Sequence, residues 1–189
     1  MLVLPYVDHI VSSARGAEKA LSKGRVWFDQ EGREAQRLLK QRIPSFLRHG
    51  SVGNLLTTPV IYSLALPFVL LDAWVTAYQW VCFPVYGIDR VCRGHYFVID
   101  RHRLAYLNAI EKANCVYCSY ANGLLAYVRE VTARTEQYWC PIRHARPIRA
   151  PHRHYQQFLD YGDAAGYRCG LPRMRAALKG RPPSRRRRR

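Results

Sequence analysis

A long apolar stretch dominates the hydrophobic pattern of this chain. Across residues 51–88, Asp72 is the only acidic or basic residue. One membrane helix needs about 20 apolar residues, and this stretch is longer. Pro59, Pro67 and Pro84 interrupt it, which disfavours one straight helix. The pattern therefore predicts a segment that enters a membrane, and a pair of core helices in a soluble protein is the alternative.

The residues around this stretch bear on its topology. It contains Tyr and Trp side chains of the kind enriched at membrane interfaces. Basic residues flank it on both sides, which favours a broken helical hairpin that dips into the bilayer, with Asp72 near the bend. A single span is the alternative, and it would place Asp72 at mid-membrane at a cost of about 3 kcal/mol. The flanking basic residues are Arg33, Arg37, Lys40, Arg42 and Arg48 before the stretch, and Arg90, Arg93, Arg101 and Arg103 after it.

The first fifty residues have the spacing of amphipathic helices. Apolar residues from Tyr6 to Ala14 share one helical face, and residues 21–24 are typical of a stop. A second periodic stretch begins at Glu34 and is expected to end at Pro44. Such basic helices suit a membrane surface, and packing on the main domain is equally consistent with the pattern.

Residues 91–165 predict a helical domain. Residues 101–121 and 124–139 both show helical periodicity, and Asn122-Gly123 between them is a turn signal. We therefore expect two antiparallel helices, forming a cytosolic hairpin that Pro141 ends. The predicted fold class is mainly α, with a membrane-dipping hairpin at 51–90 and a basic, disordered tail at 166–189.

The candidate chemistry lies in this domain. Cys115 and Cys118 form a C-x2-C pair, and Cys140 with His144 forms C-x3-H. Thiolate and imidazole are good ligands for zinc and iron, so the set predicts a metal site. The alternative is that the cysteines are small buried hydrophobes.

Helix geometry complicates the four-ligand site. If residues 124–139 form one straight helix, its ends are about 23 Å apart, whereas two ligands of one zinc ion lie within about 4 Å. The site therefore requires a break or bend in a helix. Without one, each half needs other ligands, and the candidates are Glu111, Glu130, Glu136 and His102. Arg129, Arg134 and Arg143 could instead pair with the glutamates.

The charge is large and uneven. The net charge is +17, and residues 142–189 hold 14 Lys and Arg against Asp160 and Asp163, or +12. Such a segment attracts anionic lipid, with nucleic acid as a less favoured partner, or it simply solubilises the chain. The protein partner stays unknown. The six irregularly spaced cysteines and the absence of a secretory signal pattern favour reduced thiols facing the cytosol.

Two motifs support a resemblance. NCVYCSYANG and ARTEQYWCPIRHA, together with the apolar stretch, resemble a family of uncharacterised bacterial proteins over roughly residues 1–165. The resemblance implies a membrane-associated bacterial protein, located at the inner membrane with its soluble parts facing the cytoplasm.

Three function classes follow. The favoured one is a membrane-associated accessory protein that binds zinc or iron, with a redox-linked role as one option. The second is a scaffold that binds anionic lipid or nucleic acid through its basic surface. The third is an enzyme that uses a Glu/Cys helix face, although no glycine-rich phosphate loop, H-E-x-x-H or G-x-S-x-G motif is present.

Overall fold

The computed structural model of the chain describes residues 20–22, 25–27, 30–49 and 51–179 and is mainly helical, which confirms the predicted class. Three short 3₁₀ turns lie between the helices. The elements are strands β1 (Ala20–Ser22) and β2 (Arg25–Trp27), helices α1 (Gln30–Leu38), α2 (Ile43–His49), α3 (Val52–Ser63), α4 (Ala65–Tyr86), α5 (Ala109–Trp139) and α6 (Ala164–Ala176), and 3₁₀ turns Arg93–His95, Arg101–Arg103 and Tyr155–Gln157.

The N-terminal part differs from the two amphipathic helices that the spacing predicts. β1 and β2 pair antiparallel, with Ala20 opposite Trp27, where a helix stop was expected. The second predicted helix ends at Leu38, before Pro44. Pro44 lies in the first turn of α2, where its missing N–H group is tolerated. Residues 1–19 lie outside the described residues.

The chain divides into two compact units. The first contains residues 1–61 and 99–119, and the second contains residues 62–98 and 120–189. Within the first unit, the Tyr117 hydroxyl donates to the Ile61 carbonyl oxygen (2.8 Å), and the Arg101 guanidinium donates to the Ser119 hydroxyl (2.9 Å). The second unit contains α4 and most of the buried apolar residues.

The apolar stretch forms α3 and α4 and does not turn at Asp72. Leu64, between the two helices, has helical angles (φ −65°, ψ −14°). Asp72 lies inside α4, so the prediction that it sits near a bend is wrong. By length and composition, the 35-residue stretch Val52–Tyr86, with a mean hydropathy of 1.8, could cross a membrane.

Helix α4 ends in a left-handed glycine. Gly87 has φ 68°, and the Ile88 amide donates to the Phe83 carbonyl oxygen (2.9 Å). This is the usual way for a glycine to close the last turn of a helix. It fixes where the apolar helix stops and the following loop begins.

Helix α5 runs without interruption through the predicted turn. It spans 31 residues, so the prediction of two antiparallel helices joined at Asn122-Gly123 is wrong. The reason is packing. A Cβ atom on Gly123 would lie 2.7 Å from the Tyr96 carbonyl oxygen and 3.2 Å from the Phe97 Cα atom. The glycine allows another backbone segment to approach α5 closely. The packing gained in this way outweighs the low helix propensity of glycine.

The core of the second unit forms between α4, α5 and the residues after α6. Phe83, Leu124 and Tyr127 are completely buried, and Val131 nearly so. Farther along α5, the buried amide of Gln137 donates to the Met174 carbonyl oxygen of α6 (3.0 Å). Apolar burial and this hydrogen bond together stabilise the region.

Helix α6 lies in the segment that was predicted to be a disordered tail. The Asp163 carboxylate accepts from the Gly166 amide (2.8 Å) and caps the first turn. Met174 and Leu178 are buried, so the prediction of a disordered tail is wrong for residues 166–179. The remaining predicted tail, residues 180–189, lies outside the described residues.

Candidate functional site

The predicted thiol ligands occupy both ends of α5. Cys115 and Cys118 lie one turn apart in the helix, Cys115 half-buried and Cys118 exposed. Cys140 is exposed and follows the last helical residue. The His144 ring stacks on Tyr155, with 6.0 Å between centroids.

The predicted four-ligand set is divided between the two compact units. Cys115 and Cys118 belong to the first unit, and Cys140 and His144 belong to the second. Within residues 20–22, 25–27, 30–49 and 51–179, no group of three or more His, Cys, Asp or Glu side chains is arranged to hold a metal ion. The set of Cys115, Cys118, Cys140 and His144 stays a prediction.

Among the alternative ligands, Glu111 has a structural role. Its Oε2 accepts from the Asn108 amide (2.8 Å), while the Asn108 Oδ1 accepts from the Glu111 amide (3.0 Å). This reciprocal pair is a capping arrangement for the start of α5. Ring atom Nδ1 of His102, in the same unit, is buried and has no hydrogen-bond partner within the described part of the chain.

The other two glutamates pair with histidines that the spacing did not single out as ligands. Glu136 Oε2 lies 2.9 Å from His152 Nε2, and Glu130 Oε1 lies 3.3 Å from His154 Nε2. The two imidazole rings are 6.0 Å apart. Two carboxylate–imidazole pairs therefore connect α5 to the loop that follows it.

Glu130 is the most strongly held acid of the second unit. Only 7% of its side chain is exposed, and Arg134 Nε donates to its Oε1 (2.9 Å). Arg153 forms a further short ion pair with the same oxygen. A buried carboxylate is costly unless it is paired, and these cations meet that requirement.

The surroundings shift two pKa values in the cluster. Burial alone would raise the pKa of Glu130, but hydrogen bonds from Arg134, Arg153 and His154 outweigh it and lower this pKa. Burial lowers the pKa of His154, and the attraction to Glu130 only partly offsets that effect. The cluster thus favours an ionised glutamate beside a neutral imidazole.

An open cleft of about 310 Å³ borders this cluster. Of the residues on the Glu/Cys helix face, Glu130 lines this cleft, whereas Glu111 and Cys115 do not. The lining residues are Tyr96, Ala126, Arg129, Glu130, His152 and Arg153.

A second polar network lies between α4 and the loop after it. Arg93 Nε donates to Asp72 Oδ1 (3.0 Å), and Arg93 Nη2 donates to Asp72 Oδ2 (2.5 Å). The Tyr120 hydroxyl donates to the same carboxylate (3.1 Å). This contact with Asp72 raises the pKa of Arg93. The one acid of the apolar stretch is therefore neutralised by a planar, bidentate partner.

Two turns further along α4, Gln79 extends the polar side. Its Nε2 donates to the Tyr127 hydroxyl (2.5 Å), and its Oε1 accepts from the Val91 amide (2.9 Å). The Thr76 hydroxyl lies 3.3 Å from the same Tyr127 hydroxyl. Asp72, Thr76 and Gln79 share one helical face, and that face points into the protein.

The opposite face of α4, which we call the outer face, is apolar and exposed. Trp74 is 80% exposed and Val85 is 79% exposed. The spacing of three and four residues makes the exposed side chains one continuous stripe. Large apolar members of the outer face are Leu66, Leu70, Trp74, Val81 and Val85, with Trp80 at its edge.

No protein family, curated protein or solved structure matches this chain. The resemblance to bacterial membrane-associated proteins accordingly stays a prediction. Evidence for function must come from the residues themselves.

Sequence reasoning missed the partners of the polar groups. Arg93 lies 21 residues after Asp72, so no local periodicity links them. The pairing of His152 and His154 with α5 was also missed, because 16 and 24 residues separate them from Glu136 and Glu130. A usable signal existed in the isolation of Asp72, since a lone buried acid requires a cation and the nearest ones follow the apolar stretch.

Proposed function

We propose that this chain is a membrane-associated accessory protein, held in the lipid bilayer by the outer face of α4. The observation that carries the proposal is the orientation of α4, which turns Asp72 and Gln79 inward and Trp74 and Val85 outward. In water this arrangement is costly, because a large apolar stripe stays hydrated while polar groups are buried.

In a bilayer, the same arrangement is favourable. The hydrocarbon region accepts the apolar face, and every polar group at that depth must find an internal partner. Asp72 finds Arg93 and Tyr120, and Gln79 finds Tyr127 and Val91. We propose the bacterial inner membrane, with the basic remainder of the chain on the cytoplasmic side.

The proposal is tested by flotation of the full chain, made by cell-free translation with liposomes present. We expect the protein to float with the lipid and to resist alkaline carbonate, which strips surface-bound proteins. Recovery of a soluble dimer without lipid would contradict the proposal, because a second copy would then cover the outer face.

Zinc or iron binding is a second proposed role. The observation in its favour is that Cys115 and Cys118 lie one helical turn apart, with Cys118 exposed. Two thiolates at that spacing can bind one metal ion if a partner or a small ligand completes the coordination. This role concerns the first unit and is independent of the outer face.

Metal analysis of the anaerobically purified chain tests the second role. We expect Cys115→Ser and Cys118→Ser to lose the metal and Cys140→Ser to retain it. Cys169→Ser, at another exposed cysteine, is the matched control. A purified protein without metal at any stoichiometry, or equal loss in all four variants, would rule out a site at this pair.

A further inference from the structure

Aromatic rings gather where the outer face ends. The Tyr86 ring stacks on Tyr138 (centroids 4.9 Å apart, 20° between planes), and Trp139 meets Tyr86 edge-on at 5.4 Å. Trp80 and Trp139 are 61% and 50% exposed. Tyr and Trp favour the zone between hydrocarbon and water, because each has an apolar ring and a polar atom.

Cationic side chains lie directly against these rings. The Arg90 Cζ atom lies 3.9 Å from the centroid of Trp80, and the Arg175 Cζ atom lies 4.7 Å from that of Tyr138. Arg175 Nε also donates to the Tyr138 carbonyl oxygen (2.9 Å), which fixes the direction of its guanidinium. Stacking on a ring holds an arginine in place without neutralising it.

A lysine completes the group. A Cβ atom on Gly87 would lie 3.6 Å from Lys179 Cε, so this side chain crosses the C-terminal end of α4. Within the described part of the chain, the ion pairs use cations other than Arg90, Arg175 and Lys179. We call these three cations and the rings of Trp80, Tyr86, Tyr138 and Trp139 the belt.

We infer that the belt binds the headgroups of anionic phospholipids at the membrane interface. The inference rests on the proposed function, because the outer face of α4 must lie in the bilayer to bring the belt to headgroup depth. Guanidinium groups bind phosphate oxygens through paired N–H donors, while the ammonium group of Lys179 adds a point charge.

The net charge favours anionic lipid over a second copy of the chain as the partner that contacts the belt. The chain carries a net charge of +17, and two belts brought together would oppose six cations, of which the exposed Asp89 next to Arg90 in each copy offsets two. An anionic membrane surface is complementary to the same group, and each basic residue near that surface strengthens binding about five-fold. The observations therefore favour lipid.

The test uses Trp80 and Trp139 as reporters. The full chain with Trp27→Phe and Trp74→Phe is reconstituted into bilayers of phosphatidylglycerol and phosphatidylcholine in equal amounts. Only one of the two lipids is brominated in each preparation, so tryptophan quenching reports which headgroup is next to the belt. We expect brominated phosphatidylglycerol to be about five-fold or more enriched at the belt.

Variants distinguish lipid binding at the belt from a general effect of positive charge. Arg90→Gln with Arg175→Gln should lower the lipid preference several-fold and leave only the contribution of Lys179, whereas Arg90→Lys with Arg175→Lys should retain most of it. Arg146→Gln with Arg149→Gln removes the same charge at exposed positions away from the belt and should leave the preference unchanged.

The outcomes distinguish the two proposals. Equal quenching by both lipids, or an equal loss of preference in the control variant, would overturn the inference and leave membrane association intact. Absence of quenching by either lipid would overturn the proposed function as well. A dimer in sedimentation equilibrium, with the tryptophans shielded from lipid, would assign the belt to a second copy.

Discussion

The two faces of α4 differ in what covers them. The inner face packs apolar residues such as Phe83 beside Asp72, Thr76 and Gln79, which are all engaged in hydrogen bonds, whereas the outer face carries exposed residues such as Trp74 and Val85. A soluble protein buries the apolar stripe of a surface helix. This difference is the observation on which the proposed membrane association rests.

The largest expected effect comes from placing charges on the outer face. Leu70→Arg with Val81→Arg should remove the protein from the membrane fraction, because each arginine in the bilayer costs about 3 kcal/mol on the insertion scale. Flotation with liposomes measures the result. Ile148→Arg with Tyr161→Arg adds the same charges at exposed positions outside α4 and should still float. Equal flotation of both variants would contradict the assignment of the outer face.

On the inner face, Asp72→Ala should destabilise the second unit by about 3 kcal/mol. The substitution removes a bidentate ion pair and leaves the Tyr120 hydroxyl without its partner, although the Arg93 side chain is 45% exposed and is partly hydrated when unpaired. Thermal unfolding in detergent measures the loss. Asp72→Ala with Arg93→Leu should recover part of it, since no unpaired charge then remains. If the double variant is no more stable than the single variant, the pair is not the source of the loss.

A smaller effect is expected at Gly123, where the backbone of Tyr96 and Phe97 approaches α5 closely. Gly123→Ala should cost about 2 kcal/mol, although alanine is the better helix former, because the new Cβ atom would meet the Tyr96 carbonyl oxygen. Unfolding in denaturant tests this prediction. Leu125→Ala, at a half-exposed position of the same helix, is the control and should cost less than Gly123→Ala. Stabilisation by Gly123→Ala would indicate that the glycine is a turn residue after all.

The smallest effect is the dependence of stability on pH in the Glu130 cluster. The folded-state pKa values of Glu130 and His154 are both lowered, so in each case the unfolded chain binds protons more readily. Stability should therefore fall as the pH drops below the ordinary histidine range near 6.5, and fall further below the ordinary glutamate range near 4.3. Melting temperatures from pH 8 to pH 4 measure this slope.

Glu130→Gln provides the matched comparison for that slope. The variant lacks the ionisable carboxylate, so its melting temperature should change less between pH 5 and pH 4 than that of the original chain. An unchanged slope in the variant would show that other acids determine the acid sensitivity.

Much of the helical content followed from periodicity, because strongly patterned segments such as residues 124–139 signal helix through local side-chain spacing alone. The connection between these segments did not follow from the periodicity. Asn122-Gly123 has the composition of a turn, yet the glycine serves contact with Tyr96 and Phe97, which lie far away in sequence. Tertiary contacts of this kind override a local signal and are invisible to it.

The candidate site also depends on tertiary contacts that the local sequence does not reveal. The apolar stretch and its lone acid were evident from composition, whereas the inward direction of Asp72 and its pairing with Arg93 depend on the folding of the loop after α4. The cysteine and histidine spacing suggested one metal site, and the residues of that set are divided between the two compact units. Local spacing cannot decide whether a helix bends.

The environment of Trp74 tests the account most directly. With Trp27, Trp80 and Trp139 replaced by phenylalanine, Trp74 is the only fluorescent tryptophan, and it is 80% exposed on the outer face. In reconstituted bilayers we predict strong quenching by lipids brominated on their acyl chains and little quenching by acrylamide in the water. Strong acrylamide quenching without any effect of the brominated lipids would contradict the assignment of this face to the membrane.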